Sequence, residues 1–506
     1  MVGWPGPGTA AVCAPTPGGP GLCGDTPLRW FKGISPRCEI LPTTTTMGGA
    51  PRPAYVFPLV LGSFTAVSYV FLVAVYTVQP TPFIDEIYHV PQAQKYCAGR
   101  FNEWDPKITT LPGLYLFSIG LNGPVSWVLG RQLCDVFSLR VTNLVAAAFL
   151  LSSLNKLLTF LHSTKVDGWK LILAGVNLSL LPVLYWFTFL YYTDTLATLV
   201  VLVMMLLHLH RAPTAAAAMG VVAVMMRQTN IIWVGFLCIL LAADILGARV
   251  LKAPINTLAD AKTLLKRLRK TATKPYRLAE ILADVVVECF SYGLVLVGFA
   301  VFVAYNGGIV VGDRSAHQPT VHLPQLGYFC LFFLVFSLPH APYHLKPFIR
   351  LCQSRPGLCA AALVVGVLTV HSNTLVHPYL LADNRHLTFY LWNRLYGRYA
   401  AARYLMVPVY MFGGFMVHSF IQSRSLVFRL LYLACVAATI VPQRLLEPRY
   451  FIIPFLVARL QTTSRNWWQL WAETLYFLLI NCLTLYLFVS KTFLWEDSAE
   501  LQRIIW

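Results

Sequence analysis

Long apolar runs separated by short polar segments are the dominant pattern of the chain. The first run, Tyr55 to Val78, is long enough to cross a bilayer, since about 20 apolar residues span the hydrocarbon core. Further runs follow at 141–161, 171–190, 194–210, 214–226, 231–247, 285–305, 326–339, 357–374, 400–420, 426–441, 450–460 and 468–490. The pattern predicts an all-α polytopic membrane protein with roughly 12 to 14 transmembrane helices.

Two segments leave the number of crossings and the side of the C-terminus open. Residues 111–130 are apolar but contain several prolines and glycines, so they fit either a span or an interfacial helix. The run 214–226 is short for a hydrocarbon core of about 30 Å and fits a broken or re-entrant helix as well as a span.

Composition supports a membrane protein and limits the possible partners. Hydrophobic residues make up 57% of the chain, charged residues only 12%, and the mean hydropathy is +0.62. The net charge of +18 agrees with basic cytosolic loops, whereas no compact basic domain or motif indicates nucleic acid. The strongest basic segment, 247–281, contains a single acidic residue before residue 280, Asp260, and is predicted to be a solvated, partly helical cytosolic loop.

The chain begins with a segment of different composition. Residues 1–53 are rich in Pro, Gly and Thr and have little to bury, so we expect a disordered extension before the membrane domain at 54–506. Met47 lies just before the first span, and residues 1–46 are expected to have no catalytic role. The 12 cysteines include no CxxC pair or metal-ligand spacing, so most are expected to be small apolar residues inside helices.

A polar, aromatic stretch from Pro82 to Gly113 directly follows the first span. It contains Asp85, Glu86 and Asp105 in a chain with only 21 acidic residues among 506. A carboxylate at the membrane surface can accept a proton from a hydroxyl group, which would make this stretch an active-site loop. The alternative is an ordinary solvated loop, because segments that flank spans are often polar.

Three later polar segments are expected on the same side as this stretch, if 247–281 is cytosolic and the spans alternate. They are 306–325, 377–398 and 442–450. Arg and His side chains there can donate to phosphate oxygens, although an interfacial aromatic belt with cations is the alternative. Glycines 307, 308 and 312 predict tight turns or close approaches.

Two charged residues lie close to apolar runs. Arg227 is expected to have a partner, because an unpaired cation near the bilayer is costly. For Asp194, we favour a helix N-cap over a catalytic role.

Several long motifs resemble one family. DEIYHVPQAQKYC from Asp85, RQTNIIW from Arg227, NGGIVVGDRSAH from Asn306, HPYLLADNRHLTFYLW from His377 and VPQRLLEPRYFIIP from Val441 are similar to the endoplasmic reticulum α-1,2-glucosyltransferases that use dolichyl phosphate glucose. That family adds the third glucose to the lipid-linked oligosaccharide. The resemblance covers about residues 54–506 and not residues 1–46.

The resemblance implies a GT-C-type membrane glycosyltransferase with a luminal active site in the endoplasmic reticulum. The implied substrates are dolichyl phosphate glucose and a dolichyl-diphosphate oligosaccharide, joined by an inverting single displacement without cofactor or metal. A sibling GT-C transferase for another glucose or a mannose is one alternative. A transporter or channel-associated membrane protein without catalysis is the other.

The resemblance also suggests roles for particular residues. Asp85 is the predicted base and Glu86 a hydrogen-bond partner of the acceptor. The alternatives are that Asp85 caps a helix beginning at Ile87, or that Asp85, Glu86 and Asp194 form a weak metal site. The predicted ligands of the donor phosphate are His377, Arg385 and His386. Further substrate-binding candidates are His89, Trp104, Asp105, Arg227, Asp313, Arg314, Asp383, Asn384 and Arg449.

Overall fold

The computed structural model describes residues 53–314, 319–496 and 500–506, and this part of the chain is mostly helical, with only two short strands. The predicted all-α polytopic class is therefore confirmed. The expectation for the N-terminal extension concerns residues that lie, apart from Pro53, outside the described ranges.

The first half of the described chain contains ten helices. Their bounds are α1 Pro53–Val78, α2 Glu86–Cys97, α3 Gly113–Leu129, α4 Val136–His162, α5 Gly168–Ser179, α6 Pro182–Trp186, α7 Asp194–Leu209, α8 Pro213–Met226, α9 Ile231–Leu246 and α10 Leu258–Ala272. A 3-10 turn, Gln228–Asn230, precedes α9, and a π-helical turn, Gly247–Leu251, follows it.

The second half contains eleven helices and a small hairpin. The helices are α11 Pro275–Asn306, α12 Pro324–Phe336, α13 Ala341–Ser354, α14 Pro356–Asn373, α15 Pro378–Ala382, α16 Leu387–Leu391, α17 Ala402–Leu405, α18 Val407–Ile421, α19 Leu426–Ile440, α20 Ile452–Arg459 and α21 Trp467–Ser490. A π-helical turn, Trp392–Tyr396, follows α16, and 3-10 turns lie at Leu338–His340 and Pro448–Phe451. The antiparallel strands are β1 Thr492–Phe493 and β2 Gln502–Arg503.

Seven described helices are long and apolar enough to cross a membrane. They are Tyr55–Val78, Val136–His162, Gln228–Leu251, Pro275–Asn306, Pro356–Asn373, Ala402–Ile421 and Trp467–Ser490. The pair α12 and α13 adds an eighth if it is one span bent by 73°. The predicted number of 12 to 14 transmembrane helices is reached only if the four shorter apolar helices α3, α7, α8 and α19 also cross the membrane.

Two predicted spans are wrong in detail. The span at 450–460 is a 3-10 turn followed by the eight-residue α20, which at 1.5 Å per residue is far too short to cross. The span at 171–190 is divided, because α5 ends at Ser179 and Pro182 begins the short α6. By contrast, α8 is continuous over the short run, and the chain breaks only at the extended Arg227.

The segment 180–202 lies in the interior of the helical assembly, where nearly every residue is buried. It includes α6 and the first half of α7, which packs against α4, α8, α9 and α20. Because this segment is enclosed on all sides, polar groups within it must find partners inside the protein. The turn at its centre, Tyr191–Asp194, is one wall of the site described next.

Candidate active site

Arg449 is the centre of a cluster of charges at one end of the helical assembly. Its Nη1 lies 3.1 Å from Asp85 Oδ2 and 3.5 Å from Asp194 Oδ2, and its guanidinium also pairs with Glu447. The face of the guanidinium lies 5.1 Å from the Phe187 ring centroid and 5.2 Å from that of Tyr192. Aromatic faces stabilise a cation, so Arg449 is held on several sides.

Asp85 lies on the open side of this cluster, directly before α2. Its side chain is 39% exposed and makes no hydrogen bond that caps the helix, so the capping alternative is wrong. Its backbone N–H donates to the Tyr192 hydroxyl at 3.1 Å. The preceding Ile84 has a φ of 53°, which is strained for a β-branched residue and indicates that the surrounding contacts fix this turn.

Glu86 has the opposite environment to its neighbour, because its side chain is completely buried. Its carboxylate receives Arg140 Nη2 at 2.6 Å and Nε at 2.9 Å. The backbone N–H groups of Phe83 and Tyr191 donate to the same carboxylate at 3.0 and 2.6 Å. Four N–H donors therefore bind the Glu86 carboxylate, and Glu86 positions the turn that carries Asp85. It does not face the open side, as a residue that binds the acceptor substrate would.

Asp194 is part of the cluster and is not a helix cap, which corrects the sequence-based interpretation. Thr193 occupies the capping position of α7, and the buried Asp194 carboxylate pairs with Arg227 at 3.2 Å and with Arg449. The expected partner of Arg227 is thus confirmed. Because Asp85, Glu86 and Asp194 each engage an arginine, they do not form the alternative metal site, and no cluster of three or more His, Cys, Asp or Glu suited to a metal occurs among the described residues.

The late polar segment approaches Asp85 from the other side. Asp383 accepts hydrogen bonds from Arg385 Nε at 2.8 Å and Nη2 at 2.7 Å, and the guanidinium lies 4.5 Å from the Trp495 ring centroid. His386 Nδ1 lies 2.8 Å from the Trp506 backbone oxygen. The last residues of the chain therefore complete this side of the site.

A cavity of about 460 Å³ lies between the two groups of charges. Its polar lining is Asp85, Asp383, Arg385, His386, Thr388, Glu447 and Arg449, and its apolar lining includes Ile84, Ile87, Leu380, Leu445, Leu446 and Trp506. Tyr88 and Tyr379 contribute aromatic rings. Three carboxylates, two guanidiniums and an imidazole thus share one cavity with surfaces suited to a sugar ring or a lipid chain.

The charges in the cavity change one another's protonation. Burial is the largest single influence and raises the pKa of the Asp85 carboxyl, but Arg449, His89 and His386 together outweigh it and hold the pKa below its usual value. Burial also raises the pKa of the Asp383 carboxyl, but the hydrogen bonds from Arg385 and the nearby charges of His386 and Arg385 lower it below its usual value. Burial lowers the pKa of Arg449, but Glu447, Asp194 and Asp85 raise it well above its usual value. Both carboxylates are therefore ionised at neutral pH.

Several predicted site residues do not line the cavity. His377 Nδ1 accepts the Tyr379 N–H at 3.1 Å and so caps α15, and Asn384 Oδ1 accepts the Trp495 indole N–H at 2.8 Å. His89 Nδ1 lies 2.6 Å from the Tyr115 hydroxyl. These residues support the segments that carry Asp85 and Arg385.

Four more candidates lie in turns that support the site. Trp104 packs edge-on against Tyr115, and Asp105 Oδ1 accepts the Lys107 N–H. Arg314 donates to backbone oxygens of its own loop, including Val310, and the Asp313 N–H donates to the Pro106 oxygen at 2.7 Å.

The predicted meeting of the polar segments is confirmed by these and other contacts. At Gly312, which has a φ of +67°, a Cβ atom would lie 2.3 Å from the Pro106 oxygen, so glycine is required for the loop to approach the opening stretch. The Thr320 N–H donates to the Pro442 oxygen at 3.1 Å, which joins 306–325 to 442–450. Residues from all four polar segments therefore lie at one end of the molecule.

Sequence reasoning missed Arg140, Trp495 and Trp506 as parts of the site. Arg140 had a detectable signal, since it is a cation at the edge of a predicted apolar span and such a residue usually has a partner. The two tryptophans had none, because aromatic residues near the end of a span are common in membrane proteins.

A disulfide, Cys97–Cys134, was also missed by the expectation that most cysteines are apolar helix residues. It joins the end of α2 to the residue before the N-cap of α4. The Glu86–Arg140 pair joins the beginning of α2 to the same helix. The helix that follows Asp85 is therefore fixed to α4 at both ends.

Replacing either cysteine of this disulfide should destabilise the protein. Cys97→Ser or Cys134→Ser removes a link between residues 37 positions apart, and such a loss typically costs about 2–4 kcal/mol. The thermal unfolding midpoint in detergent should fall for both variants, and the double variant should resemble the single ones. Cys482→Ser, at an exposed free cysteine, is the matched control. Equal midpoints for all variants would contradict the linkage.

Fold and site together define a polytopic α-helical membrane protein with a charged cavity at one end. Residues 79–460 match the family described as the DIE2/ALG10 family, and the chain belongs to this family.

Relatives are found in animals and plants. The protein from Rattus norvegicus is 40% identical over 446 residues, covering 84% of this chain and 93% of its own length. Those from Homo sapiens and Arabidopsis thaliana are 36% and 32% identical, covering 84% of this chain and 93% and 95% of their own. Each is named "Dol-P-Glc:Glc(2)Man(9)GlcNAc(2)-PP-Dol alpha-1,2-glucosyltransferase". No solved structure matches the chain.

Proposed function

We propose that this protein transfers glucose from dolichyl phosphate glucose, in α-1,2 linkage, to the diglucosylated dolichyl-diphosphate oligosaccharide. The observation that carries the proposal is the cavity in which the open Asp85 carboxylate faces Arg449, Arg385 and His386. An acid–base group and a set of phosphate-binding donors are what a displacement at a glycosyl phosphate requires. Membership of the family and the names of the relatives agree with this chemistry.

The reaction is proposed to be a single displacement. The acceptor 2-hydroxyl oxygen forms a bond to the anomeric carbon while the bond from that carbon to the phosphate oxygen breaks. Asp85 takes the hydroxyl proton, and dolichyl phosphate leaves with the bonding electron pair. Attack from the face opposite the phosphate converts the β-linked donor to an α-linked product.

The developing negative charge on the leaving phosphate is proposed to lie near Arg449, Arg385 and His386. Arg449 pairs with Asp85 in the structure, so a phosphate that attracts Arg449 weakens its hold on that carboxylate. The pKa of Asp85 then rises, because its main opposing charge is shared, and its basicity increases when the donor is bound. Donor binding and activation of the base are coupled through one guanidinium.

The cavity is proposed to face the lumen of the endoplasmic reticulum. Disulfides persist in oxidising compartments, and Cys97–Cys134 lies in the part of the chain that carries Asp85. The basic segment 247–281 fits the cytosolic side. Both features support the same orientation.

Replacing Arg385 should reduce donor use. The loss of one charge-assisted contact commonly costs about 1.5–3 kcal/mol, so Arg385→Ala should lower kcat/KM by about ten- to a hundred-fold. Arg385→Lys should not restore it fully, because lysine lacks the planar fork that binds two oxygens. Arg444→Ala is the control, since Arg444 is exposed, donates to the Val376 oxygen and does not line the cavity. Unchanged turnover and donor affinity in Arg385→Ala would contradict the assignment.

The acid limb of the pH–rate profile should depend on Arg449. In the wild type Asp85 has a lowered pKa, so its base form persists at neutral pH and is lost only as the pH falls below the usual range of an aspartate. Arg449→Gln removes the main lowering cause and leaves burial, which raises the pKa. The acid limb of kcat/KM should therefore move about 1–3 units to higher pH, whereas in Arg449→Lys it should stay near the wild-type position. If the acid limb did not move in Arg449→Gln, Arg449 would not control the pKa of the base.

The proposed reaction is tested by the lipid-linked oligosaccharides of cells that lack the protein. Accumulation of the two-glucose species, and its conversion to the three-glucose species when purified protein and dolichyl phosphate glucose are added, is the expected result. A block at no or one glucose would indicate a sibling transferase. A normal profile would overturn the enzymatic function.

A further inference from the structure

The basic helix α10 lies at the end of the molecule opposite the cavity. The segment Gln228–Leu251 begins beside the site, where Gln228 Nε2 donates to the Thr109 oxygen at 2.9 Å. The long helix α11 returns to the site at Asn306, and the loop after it contacts Pro106. Both helices are candidate spans, and α10 connects their far ends. It therefore lies at the membrane boundary on the side away from the cavity.

The surface of α10 and its flanks is strongly cationic and not neutralised. Its exposed cations are Lys252, Lys262, Lys266, Arg267, Arg269, Lys270, Lys274 and Arg277. Arg249 pairs with Asp284 at 2.6 Å, whereas none of these eight cations forms a salt bridge within the described part of the chain. The one acid of α10, Asp260, is engaged in the capping box with Thr257. The positive charge is available to an external anion.

An exposed apolar strip runs alongside these cations. Leu258, Leu265 and Ala272 recur every seven residues and so lie on one face of the helix. Leu258 is 63% exposed and Leu265 is 53% exposed, whereas Ala261, Leu264 and Leu268 of the same helix are half-buried. Tyr276, at the beginning of α11, is 83% exposed. Exposed leucines beside a row of lysines and arginines are typical of a helix that lies in the membrane interface.

We propose that α10 binds the anionic phospholipid headgroups of the membrane leaflet on the side opposite the cavity. The lysines and arginines meet the headgroups, and Leu258 and Leu265 enter the boundary with the acyl chains. A membrane surface explains the apolar strip as well as the charge, whereas nucleic acid or a soluble acidic peptide would explain the charge alone. This anchoring role is independent of glucosyl transfer.

The beginning of α10 is attached to the helical assembly, which holds its charges at a fixed depth. The Ile255 oxygen accepts the Leu426 N–H at 3.0 Å, and the Asn256 oxygen accepts Arg429 Nη2 at 3.2 Å. Arg267 Nη1 donates to the Val250 oxygen at 3.1 Å, which joins the middle of the helix to the end of the preceding turn. Both flanks of α10 continue into candidate spans, which already hold the cations near the headgroups. Binding of the headgroups therefore does not have to offset the entropy of bringing the helix to the membrane.

The test is amide hydrogen exchange of residues 258–272 in the full chain, held in nanodiscs. The discs contain phosphatidylcholine alone or phosphatidylcholine with phosphatidylserine. Exchange should be slower in the anionic discs by about ten-fold or more, and high salt should reverse the difference, since surface attraction to lipid charge is screened. Equal exchange rates of residues 258–272 in the two kinds of disc would overturn the proposal.

Charge-matched variants separate lipid binding from helix stability. The triple variant Lys262→Gln, Lys266→Gln, Lys270→Gln should lose the difference between the two lipids. The triple variant with arginine at the same positions should keep it. If the glutamine variant retained full lipid-dependent protection, the proposal would be wrong. Protection that required an added protein and not phosphatidylserine would also overturn it, in favour of a protein partner.

Discussion

Asp85→Asn should reduce the rate of glucose transfer by about 10²–10⁴-fold while leaving the protein folded. Asparagine has nearly the same shape but cannot accept the proton of the incoming hydroxyl at neutral pH. The side chain makes no capping hydrogen bond, so its replacement does not weaken α2. The measurement is single-turnover transfer by purified protein at saturating donor, with the unfolding midpoint and donor affinity recorded for each variant.

The control for this variant is Asp135→Asn, which makes the same chemical change at a residue that does cap a helix. Asp135 accepts the Ser138 N–H at the beginning of α4, and asparagine is an equally good cap. Transfer by this variant should remain near the wild-type rate. If Asp85→Asn also retained near wild-type single-turnover rates, Asp85 would not be the base, and the proposed mechanism would need another carboxylate.

Glu86→Gln should unfold or severely destabilise the protein. Its carboxylate and the Arg140 guanidinium are both fully buried, and removing one charge leaves the other uncompensated in the interior. The breaking of a buried pair in this way typically costs about 3–5 kcal/mol. The thermal midpoint and the yield of folded protein in detergent should both fall, and Arg140→Met should behave similarly.

The double variant Glu86→Leu, Arg140→Met distinguishes a structural pair from a substrate ligand. Removing both charges eliminates the unpaired charge, so part of the lost stability should return, as it does when buried ion pairs are replaced by apolar residues. The recovery should be incomplete, because the Phe83 and Tyr191 N–H groups lose their acceptor. Transfer should stay low, because the turn that carries Asp85 loses the carboxylate that fixes it. A stable Glu86→Gln protein with a raised acceptor KM alone would instead favour the contact with acceptor predicted from the sequence.

The sequence was most informative about features that depend on local pattern. Apolar length predicted most of the helices, and the alternation of spans predicted that the polar segments meet. Glycines predicted the turns at Gly307 and Gly312, which both have positive φ values. These predictions succeeded because helix formation and turn geometry depend on residues close together in the chain.

Interactions between distant residues were not predictable in the same way. Asp85 and Arg449 are 364 positions apart, and their contact depends on how several helices pack. Asp194 was expected to be a cap because Asp favours the N-cap position, yet Arg227 and Arg449 bind it instead. Cys97 at the end of α2 and Cys134 just before α4 likewise meet only after the helices are in place.

The neighbouring carboxylates Asp85 and Glu86 show most clearly which features the sequence determines and which depend on the tertiary structure. The sequence by itself determined a helical membrane protein with scarce acids concentrated after its first span, because hydrophobic length and local charge are properties of the chain. It also showed that two adjacent side chains should point in different directions. Only the tertiary structure decided which one is buried, because α4 and the 180–202 segment place Arg140 and the Tyr191 N–H against Glu86 and leave Asp85 facing the cavity. The difference in role between the two therefore follows from packing, through which one carboxylate loses access to solvent and the other retains it.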